Sequence, residues 1–367
     1  MRVGSARWSA RCTTSRTRRC CASASVVRSA SCRSRAASAS TSATRRRRWR
    51  TRSRRSASAR GTLASVRALP EPFTVRTAAP SERAAQAALH ARCFKKPLGP
   101  GELAWRYDGN PSGTALTLVL ADAQGALCAS FAYGPRTAVA GPYAATFGQQ
   151  GDIMTAPEIR GQGQGRRMTE AAEAAALARG WPLLWGFPNR ISAPIYTHLG
   201  WETIGVIRPH AHYLDASSAA RAERFRDGRV KSWLLRFEQR RCAAARARLA
   251  ELARASGLVV RELDAIPAGV ETLSRELKSR HALCFRRDAA YVAWRFLRAP
   301  SKLHRVLGAF DASGAFVGYA ALQLPRPGER VGWFSDLLAP REDAAAALSS
   351  AVLEHLARAG ACVVKAT

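Results

Sequence analysis

The sequence predicts a mixed α+β chain in which one order of elements is used twice, behind a tail without structure. Three observations carry that prediction. Two strand-like segments form a hairpin pattern and are followed by a strand, a glycine loop and a helix around Gly151–Gly165. A continuous apolar segment, Trp181–Phe187, follows that helix and reads as a buried strand. Finally, a set of residues in the first half recurs 189 positions later.

The chain has 367 residues and a formal net charge of +32. Residues 1–70 hold 19 Arg and no Asp, Glu or Lys, so the excess charge is mostly a property of this tail. The tail is Arg, Ser, Ala, Thr and Cys with few large apolar residues. It cannot bury enough surface to offset its ordering entropy, so disorder is expected. Its Arg45–Arg48 run suits charge-driven nucleic-acid binding, and its acid-free composition suits a transit peptide. Arg18-Arg19 lacks the apolar stretch that twin-arginine export needs. The favoured reading is a mis-assigned start, in which case the tail has no role and nucleic acid is not the expected partner.

The folded part is expected from about residue 71. Phe73–Arg76 reads as a strand, and Ser81 is placed to cap a helix through Leu89, with Glu82 in its first turn. Ala104–Tyr107 leads to the turn Asn110–Gly113. Ala115–Ala121 and Leu127–Tyr133 read as strands joined by the hairpin signal Asp122–Gly125. Tyr143–Gln149 is the next strand, leading to Asp152, and an alanine-rich helix runs from Arg166 to Arg179. Residues 216–256 are rich in Ala, Arg and Glu, and read as one or two amphipathic helices linking two domains, 71–215 and 257–367.

The repeat supports the second domain. Trp105, Arg106 and Pro111 recur as Trp294, Arg295 and Pro300; Asp122 and Gly125 recur as Asp311 and Gly314. Asp152–Pro157 is echoed by Asp336–Pro340, and Leu177–Gly180 by Leu356–Gly360. After Pro340, however, comes Arg341-Glu342-Asp343 and alanines in place of the glycine loop. Glu342 and Asp343 would repel a diphosphate, so the second copy is expected not to bind one. The strand corresponding to Leu183–Phe187 comes at the end of the given sequence, so the last elements of the second copy are expected to be missing.

Glycines at alternate positions in Arg160-Gly161-Gln162-Gly163-Gln164-Gly165 let backbone N–H groups face one side. The next helix adds unpaired N–H groups and the positive end of its dipole, which together suit a phosphate-bearing ligand. The spacing is neither the dinucleotide fingerprint nor the Walker loop. It resembles the acyl-CoA loop of the GNAT acetyltransferases, matched by Arg160, Gly163 and Gly165. Asn189, Ser192, Tyr196, Gly200 and Trp201 then stand in the family's order and spacing. The resemblance covers residues 73–215, and with the repeat it makes the chain a tandem GNAT protein with a degenerate C-terminal copy. It implies two twisted mixed sheets flanked by helices.

It also implies transfer of an acetyl group from acetyl-CoA to an amine in a ternary complex. Backbone groups from Gly161 through Gln162, Gly163, Gln164 and Gly165 to Arg166 would hold the diphosphate, with Arg160 and Arg166 adding charge or standing as solvated loop residues. Ile153, Met154 and Thr155 would pair with the pantetheine arm. Tyr196 would protonate the departing thiolate, or be a packed aromatic. Asn189 would contact the cofactor arm or cap a helix. The base is Asp152, Glu158 or an ordered water. Asp336 stands where Asp152 does in a copy without the loop, which favours a structural Asp152; His198 is two positions from Tyr196 and would be turned elsewhere.

No C-x-x-C motif and no Cys–His spacing argues for a metal or a disulfide framework. No apolar run approaches the roughly 18 residues of a membrane span. The expected setting is therefore a reducing cytoplasm, with a small-molecule or peptide amine as substrate. The second copy would contribute to the substrate cleft or to a homodimer.

Overall fold

The computed structural model describes residues 23–29, 73–94, 97–140, 143–215, 217, 232–279, 281 and 283–366. The chain divides into two compact units that interleave in sequence. One takes residues 28–185 and 266–302; the other takes 1–27, 186–265 and 303–367. This differs from the linear division expected at 216–256, and two local features account for the difference, as follows.

The first unit holds five strands in spatial order: β2 (Thr74–Thr77), β3 (Leu116–Ala121), β4 (Leu127–Ala140), β5 (Tyr143–Thr155) and β6 (Leu183–Gly186). Neighbours are antiparallel as far as β5, and β5 and β6 are parallel. Helices α1 (Arg83–Cys93) and α2 (Pro100–Tyr107) precede β3, and α3 (Gln164–Ala178) crosses over from β5 to β6. Met168, Ala172 and Ala176 repeat every four residues along α3 and are buried, so small side chains bring the helix close to the sheet.

The β4–β5 hairpin is much longer than expected. The first strand was expected to end at Tyr133 and the next to end at Gln149, yet the ladder runs from Ala129↔Thr155 to Ala140↔Tyr143, across Gly134-Pro135. The far end is braced by β10 (Cys284–Phe285), which pairs with Ala138 and Val139. It belongs to the second repeat, as do α6 (Gly269–Ser279) and α7 (Ala289–Val292). The repeat itself explains this exchange. Trp105 Nε1 donates to the Trp294 carbonyl at 3.1 Å, and Trp294 Nε1 donates to the Trp105 carbonyl at 3.1 Å. Equivalent residues of the two copies thus satisfy each other's buried indole N–H groups.

The second unit repeats the pattern with β9 (Val259–Glu262), β11 (His304–Phe310), β12 (Phe316–Gln323), β13 (Val331–Leu338) and β14 (Val363–Ala366), with α8 (Glu342–Arg358) before β14. β13 and β14 are parallel, as β5 and β6 are. Ala344, Leu348, Val352 and Leu356 form a buried stripe along α8 against Leu307, Ala309, Ala320 and Leu322. Each buried Leu or Val contributes about 1.5–3 kcal/mol. The strands expected to be missing from this copy are supplied in part from before it: β8 (His210–Tyr213) pairs antiparallel with β14.

The expected linker is also part of this unit. Helix α5 (Ser232–Ala255) buries Leu235 with Tyr213, Cys362 and Val363, and Cys242 Sγ accepts the Tyr213 N–H at 3.3 Å. The break expected at Asp227-Gly228 lies outside the described residues. Within the tail, expected to be disordered, one strand is described: β1 (Ser23–Ser29), which pairs antiparallel with β7 (Glu202–Ile207). The rest of the tail lies outside the described residues.

Ser81 does not cap the helix, and α1 begins from Glu82 without a side-chain cap. Ser81 sits inside a single turn, Pro80–Glu82, and the Glu82 carboxylate accepts the Ala79 N–H at 2.7 Å. Both Glu82 oxygens also bind Arg76, at 2.6 and 2.7 Å. The Arg76 hydrogen bonds, with the Ala79 amide helping, lower the Glu82 carboxyl to about 2. A depressed carboxyl stabilises the fold fully above its unfolded value and loses that contribution as pH falls through the folded value. Glu82→Gln is therefore expected to flatten the loss of stability between about pH 4.5 and 2, read as urea midpoints. With Arg76 half exposed, the difference should not exceed about 1 kcal/mol.

Candidate functional site

The site is built where β5 leaves its neighbour. β5 pairs with β6 at only two positions, Gly148↔Leu184 and Gln149↔Trp185. A Cβ on Gly148 would come within 2.4 Å of Leu184 Cδ2 and 2.8 Å of Trp181 Cε3, so only glycine allows that approach. Beyond Gln149 the strand runs on to Thr155 with its β4 side paired and no β6 partner on the other. Among the described residues that edge has no strand partner, and of its carbonyls that of Thr155 accepts from Arg160 Nε and Cys93 Sγ; a ligand that extends the sheet could pair with the edge.

A bulge shapes the same segment. Ala132 pairs with Gly151 and Ser130 with Met154, so Asp152 and Ile153 together oppose one residue of β4. Asp152 has φ of 40°, a conformation that costs a non-glycine residue about 1–3 kcal/mol. Its carboxylate is held in return. Arg106 Nη1 donates to Oδ1 at 2.8 Å and Oδ2 at 2.9 Å, and the Tyr107 hydroxyl donates to Oδ2 at 3.2 Å. Burial, and then the Asp152 charge, push the Tyr107 hydroxyl far above its ordinary range, so it stays a donor. A bulge also interrupts the second sheet, with Ser335 the extra residue, and beside it Asp336, paired with Ala321, accepts from the Tyr319 hydroxyl at 2.8 Å. The repeated aspartate thus serves the strand in both copies.

After Thr155 the chain makes one turn, Pro157–Ile159, and enters the glycine loop. Gly161 and Gly163 have φ of 78° and 76°, and a Cβ on either would meet nothing within 4 Å. Glycine is needed there for conformation, and the space beside it is open. Gly163 is the N-cap of α3 and offers no side chain to the first turn. Among the described residues, the amides of Gly161, Gln162, Gly163, Gln164 and Gly165 have no hydrogen-bond acceptor. The Arg166 amide donates to the Gly163 carbonyl at 3.1 Å. The helix therefore starts at Gln164, two residues before the expected point, and the Arg166 N–H is committed to the turn. Gln164 is buried with Oε1 unpartnered. Five free donors at the positive end of a 15-residue helix fit a diphosphate.

The charged residues near the loop are otherwise engaged. Arg160 Nε donates to the Thr155 carbonyl at 3.0 Å, Arg166 faces Glu170 at 3.9 Å, and Gln162 Nε2 donates to the Glu158 carbonyl at 3.0 Å. Glu158 is exposed and its carboxylate binds Arg92 at 3.0 Å. Its own backbone amide and then Arg92 hold it below the ordinary carboxylate range, which weakens it as a base.

Tyr196 and Asn189 lie in the other unit. Tyr196 is buried on the short helix α4 (Ala193–His198), with its ring 4.9 Å from that of Trp201. Asn189 Oδ1 accepts the amides of Ile191 and Ser192 at 2.9 and 3.0 Å, so its oxygen makes the turn into α4. The second copy's loop is closed off: the Ala344 amide donates to Asp343 Oδ1 at 2.7 Å, and Arg341 Nε binds the same oxygen at 3.0 Å. An anion would find its place taken by a side-chain carboxylate.

A cavity of about 240 Å³ adjoins Asp152, lined from β4, β5 and α2 and by Tyr291, Trp294 and Arg295. The recurrence of Trp105-Arg106 as Trp294-Arg295 marks the repeat but gives no sign of the space beside them. Arg106 does serve Asp152, but its copy Arg295 is exposed and lines the cavity. The one signal for the difference is that Arg106 has an aspartate opposite its helix.

Among the described residues, no group of three or more His, Cys, Asp or Glu side chains could hold a metal ion. No described helix is long and apolar enough to cross a membrane.

Comparison with known proteins agrees with this geometry. Residues 74–204 match the acetyltransferase (GNAT) domain family. A search of curated proteins found no match. Among solved structures, a probable N-acyltransferase from Enterococcus faecalis V583 superposes with a TM-score of 0.54 at 13% identity, over 80% of this chain and 65% of its own. A GCN5-related N-acetyltransferase from Kribbella flavida gives 0.51 at 16%, over 80% and 64%. One from Anabaena variabilis ATCC 29413 gives 0.52 at 12%, over 80% and 65%. The chain thus spans slightly less than two thirds of each of those proteins, and at these identities the likeness is one of fold. The match assigns residues 74–204 to the acetyltransferase (GNAT) domain family, whose fold the solved structures share.

Proposed function

We propose that the chain is an acetyl-CoA-dependent N-acyltransferase that moves an acetyl group to the nitrogen of a small-molecule or peptide amine, by direct transfer in a ternary complex. One observation carries the proposal: five loop amides without acceptors lie next in sequence to a strand edge without a partner. A diphosphate followed by an extended amide-bearing arm needs both.

Bound acyl-CoA supplies an activated acyl carbon and a thiolate leaving group. In the exchange a C–N bond forms and the C–S bond breaks; the amine sheds one proton and the sulfur gains one. The amides of Gly161–Gly165 bind the diphosphate. The backbone of Ile153–Thr155 holds the pantetheine arm, and an N–H on that edge polarises the acyl carbonyl. The hydroxyl of Tyr196 gives its proton to the sulfur, a role taken from its place in the family motif. With Glu158 bound to Arg92 and Asp152 to Arg106, the amine proton leaves to water.

A second reading is an acyl-CoA-binding module without turnover. It is favoured by the same pairing of both candidate carboxylates with arginines.

Acetyl-CoA in hundredfold excess over its Kd is expected to stabilise the full chain by about 2.7 kcal/mol, and Gly163→Glu to abolish the rise in melting temperature. A wild type indifferent to acetyl-CoA and to longer acyl-CoAs would refute both readings. Tyr196→Phe should leave that rise intact and lower the rate of thiol release about a hundredfold. Thiol release absent from the wild type across a broad amine panel would select the non-catalytic module.

A further inference from the structure

A second cavity, of about 290 Å³, lies at the far end of the β4–β5 hairpin. Three elements line it: the hairpin through Thr137, Val139 and Ala144, one face of α6, and the segment Cys284–Asp288 that contains β10. All belong to one compact unit. On β5, Ala144 stands nine positions before Ile153, where the proposed pantetheine contacts begin. That is roughly 30 Å of extended strand. The cavity is therefore separate from the transfer site.

The helix sets its chemistry. Glu271, Ser274, Arg275 and Lys278 line the cavity at i, i+3, i+4 and i+7, which is one face of α6. An acid stands in the first turn of that face, and two cations stand further along it. At the rise of a helix, Glu271 and Lys278 are about 10 Å apart along the axis. Glu271 with Arg275 four residues later is the favoured order for a helical ion pair. The pair is not made. Glu271 Oε1 accepts the Ala289 amide at 3.0 Å, while Oε2 is buried and has no partner. Among the described residues, Arg275 and Lys278 have no side-chain hydrogen bond or ion pair. Arg286, by contrast, is bound to Asp288 at 2.9 Å. A buried acceptor thus lacks a donor, and two cations lack acceptors, along one wall of one cavity. A buried carboxylate oxygen left unsatisfied is costly, and a donor from outside the chain would relieve it. Much of the remaining lining is apolar, with Val139, Ala144 and Phe285. Phe285 is stacked on Trp185, ring centres 4.5 Å apart and planes 19° apart, which fixes its position.

We infer that this cavity binds a small dipolar molecule. Its primary ammonium is received by Glu271, and its oxyanion, a carboxylate or a phosphate, by Arg275 and Lys278. An apolar stem between the two lies against Phe285. Both ends make charge-assisted hydrogen bonds, and a molecule with one end only leaves the other charges of the wall unanswered. At about 290 Å³ the space is at the lower limit of ligand pockets, which suits a short stem. The inference does not depend on the acyltransferase reading.

The test is calorimetric titration of the full chain. The dipolar probes are 4-aminobutyrate, 6-aminohexanoate, 8-aminooctanoate and 6-aminohexyl phosphate. Each is compared with its two halves, the alkylamine and the alkyl acid of its own length. At least one dipolar probe should bind, about tenfold tighter or more than either half. Which probe responds tells carboxylate from phosphate. Glu271→Gln keeps an acceptor for the Ala289 amide, and in it the probe should bind no tighter than its acid half. With Arg275→Gln and Lys278→Gln combined, the probe should bind no tighter than its amine half. Saturating acetyl-CoA should leave the affinity for the probe unchanged. No binding by any dipolar probe, binding no tighter than the halves, or undiminished affinity in either variant would overturn the inference. Displacement of the probe by acetyl-CoA would put the probe at the transfer site and overturn it as well.

Discussion

Everything at the site follows from a strand that has to part from its neighbour halfway along. β5 is held against β6 at Gly148 and Gln149, where the missing side chain of Gly148 allows contact with Leu184 and Trp181. Six residues later it ends at Thr155 with one edge unpaired. What keeps that edge from closing is the bulge on the other side. Asp152 takes an unfavourable φ and is repaid by hydrogen bonds from Arg106 and Tyr107. The strain is local, and so is its compensation, since both donors sit in the last turn of α2. The chain leaves the sheet at a fixed angle and enters a loop whose amides have nothing inside the protein to bind.

The two copies separate the structural part of this arrangement from the binding part. Both keep a bulge beside the aspartate, the parallel pair of strands and the crossover helix packed on the sheet. Only the first has glycines where the backbone must turn left-handed. In the second, Asp343 folds back onto the helix's own first amides. A helix N-terminus is an anion site only when no side chain satisfies it first. Freed of that work, the second copy lends its helices and β10 to the first and takes β8 for its own sheet.

Much of this was legible in the sequence because it depends on local chemistry. Gly161 and Gly163 need positive φ, and alternate glycines announce that directly. The repeat was readable because Trp105 and Trp294 are large and rare. The length of the β4–β5 hairpin was not, because Gly134-Pro135 is a break by propensity and is overruled by pairing with β5 and β10. The interleaving of the units was hidden for the same reason: β8 and the helices around Trp294 find partners far away in sequence. Ser81 was a sound cap by residue type, but it falls inside the turn Pro80–Glu82, and the helix begins one residue later without a side-chain cap. The cavity beside Asp152 needed the structure, since no spacing brings Arg136 to Tyr291.

The central claim is that the backbone amides of residues 161–165 hold a diphosphate. Amide-resolved hydrogen exchange of the full chain, with and without coenzyme A, tests it most directly. The account predicts protection of the Gly161–Gly165 amides on adding coenzyme A, while the Ala344 and Ala345 amides of the second copy stay unchanged. Unaltered exchange at 161–165 under saturating coenzyme A, or protection confined to the second copy, would contradict it.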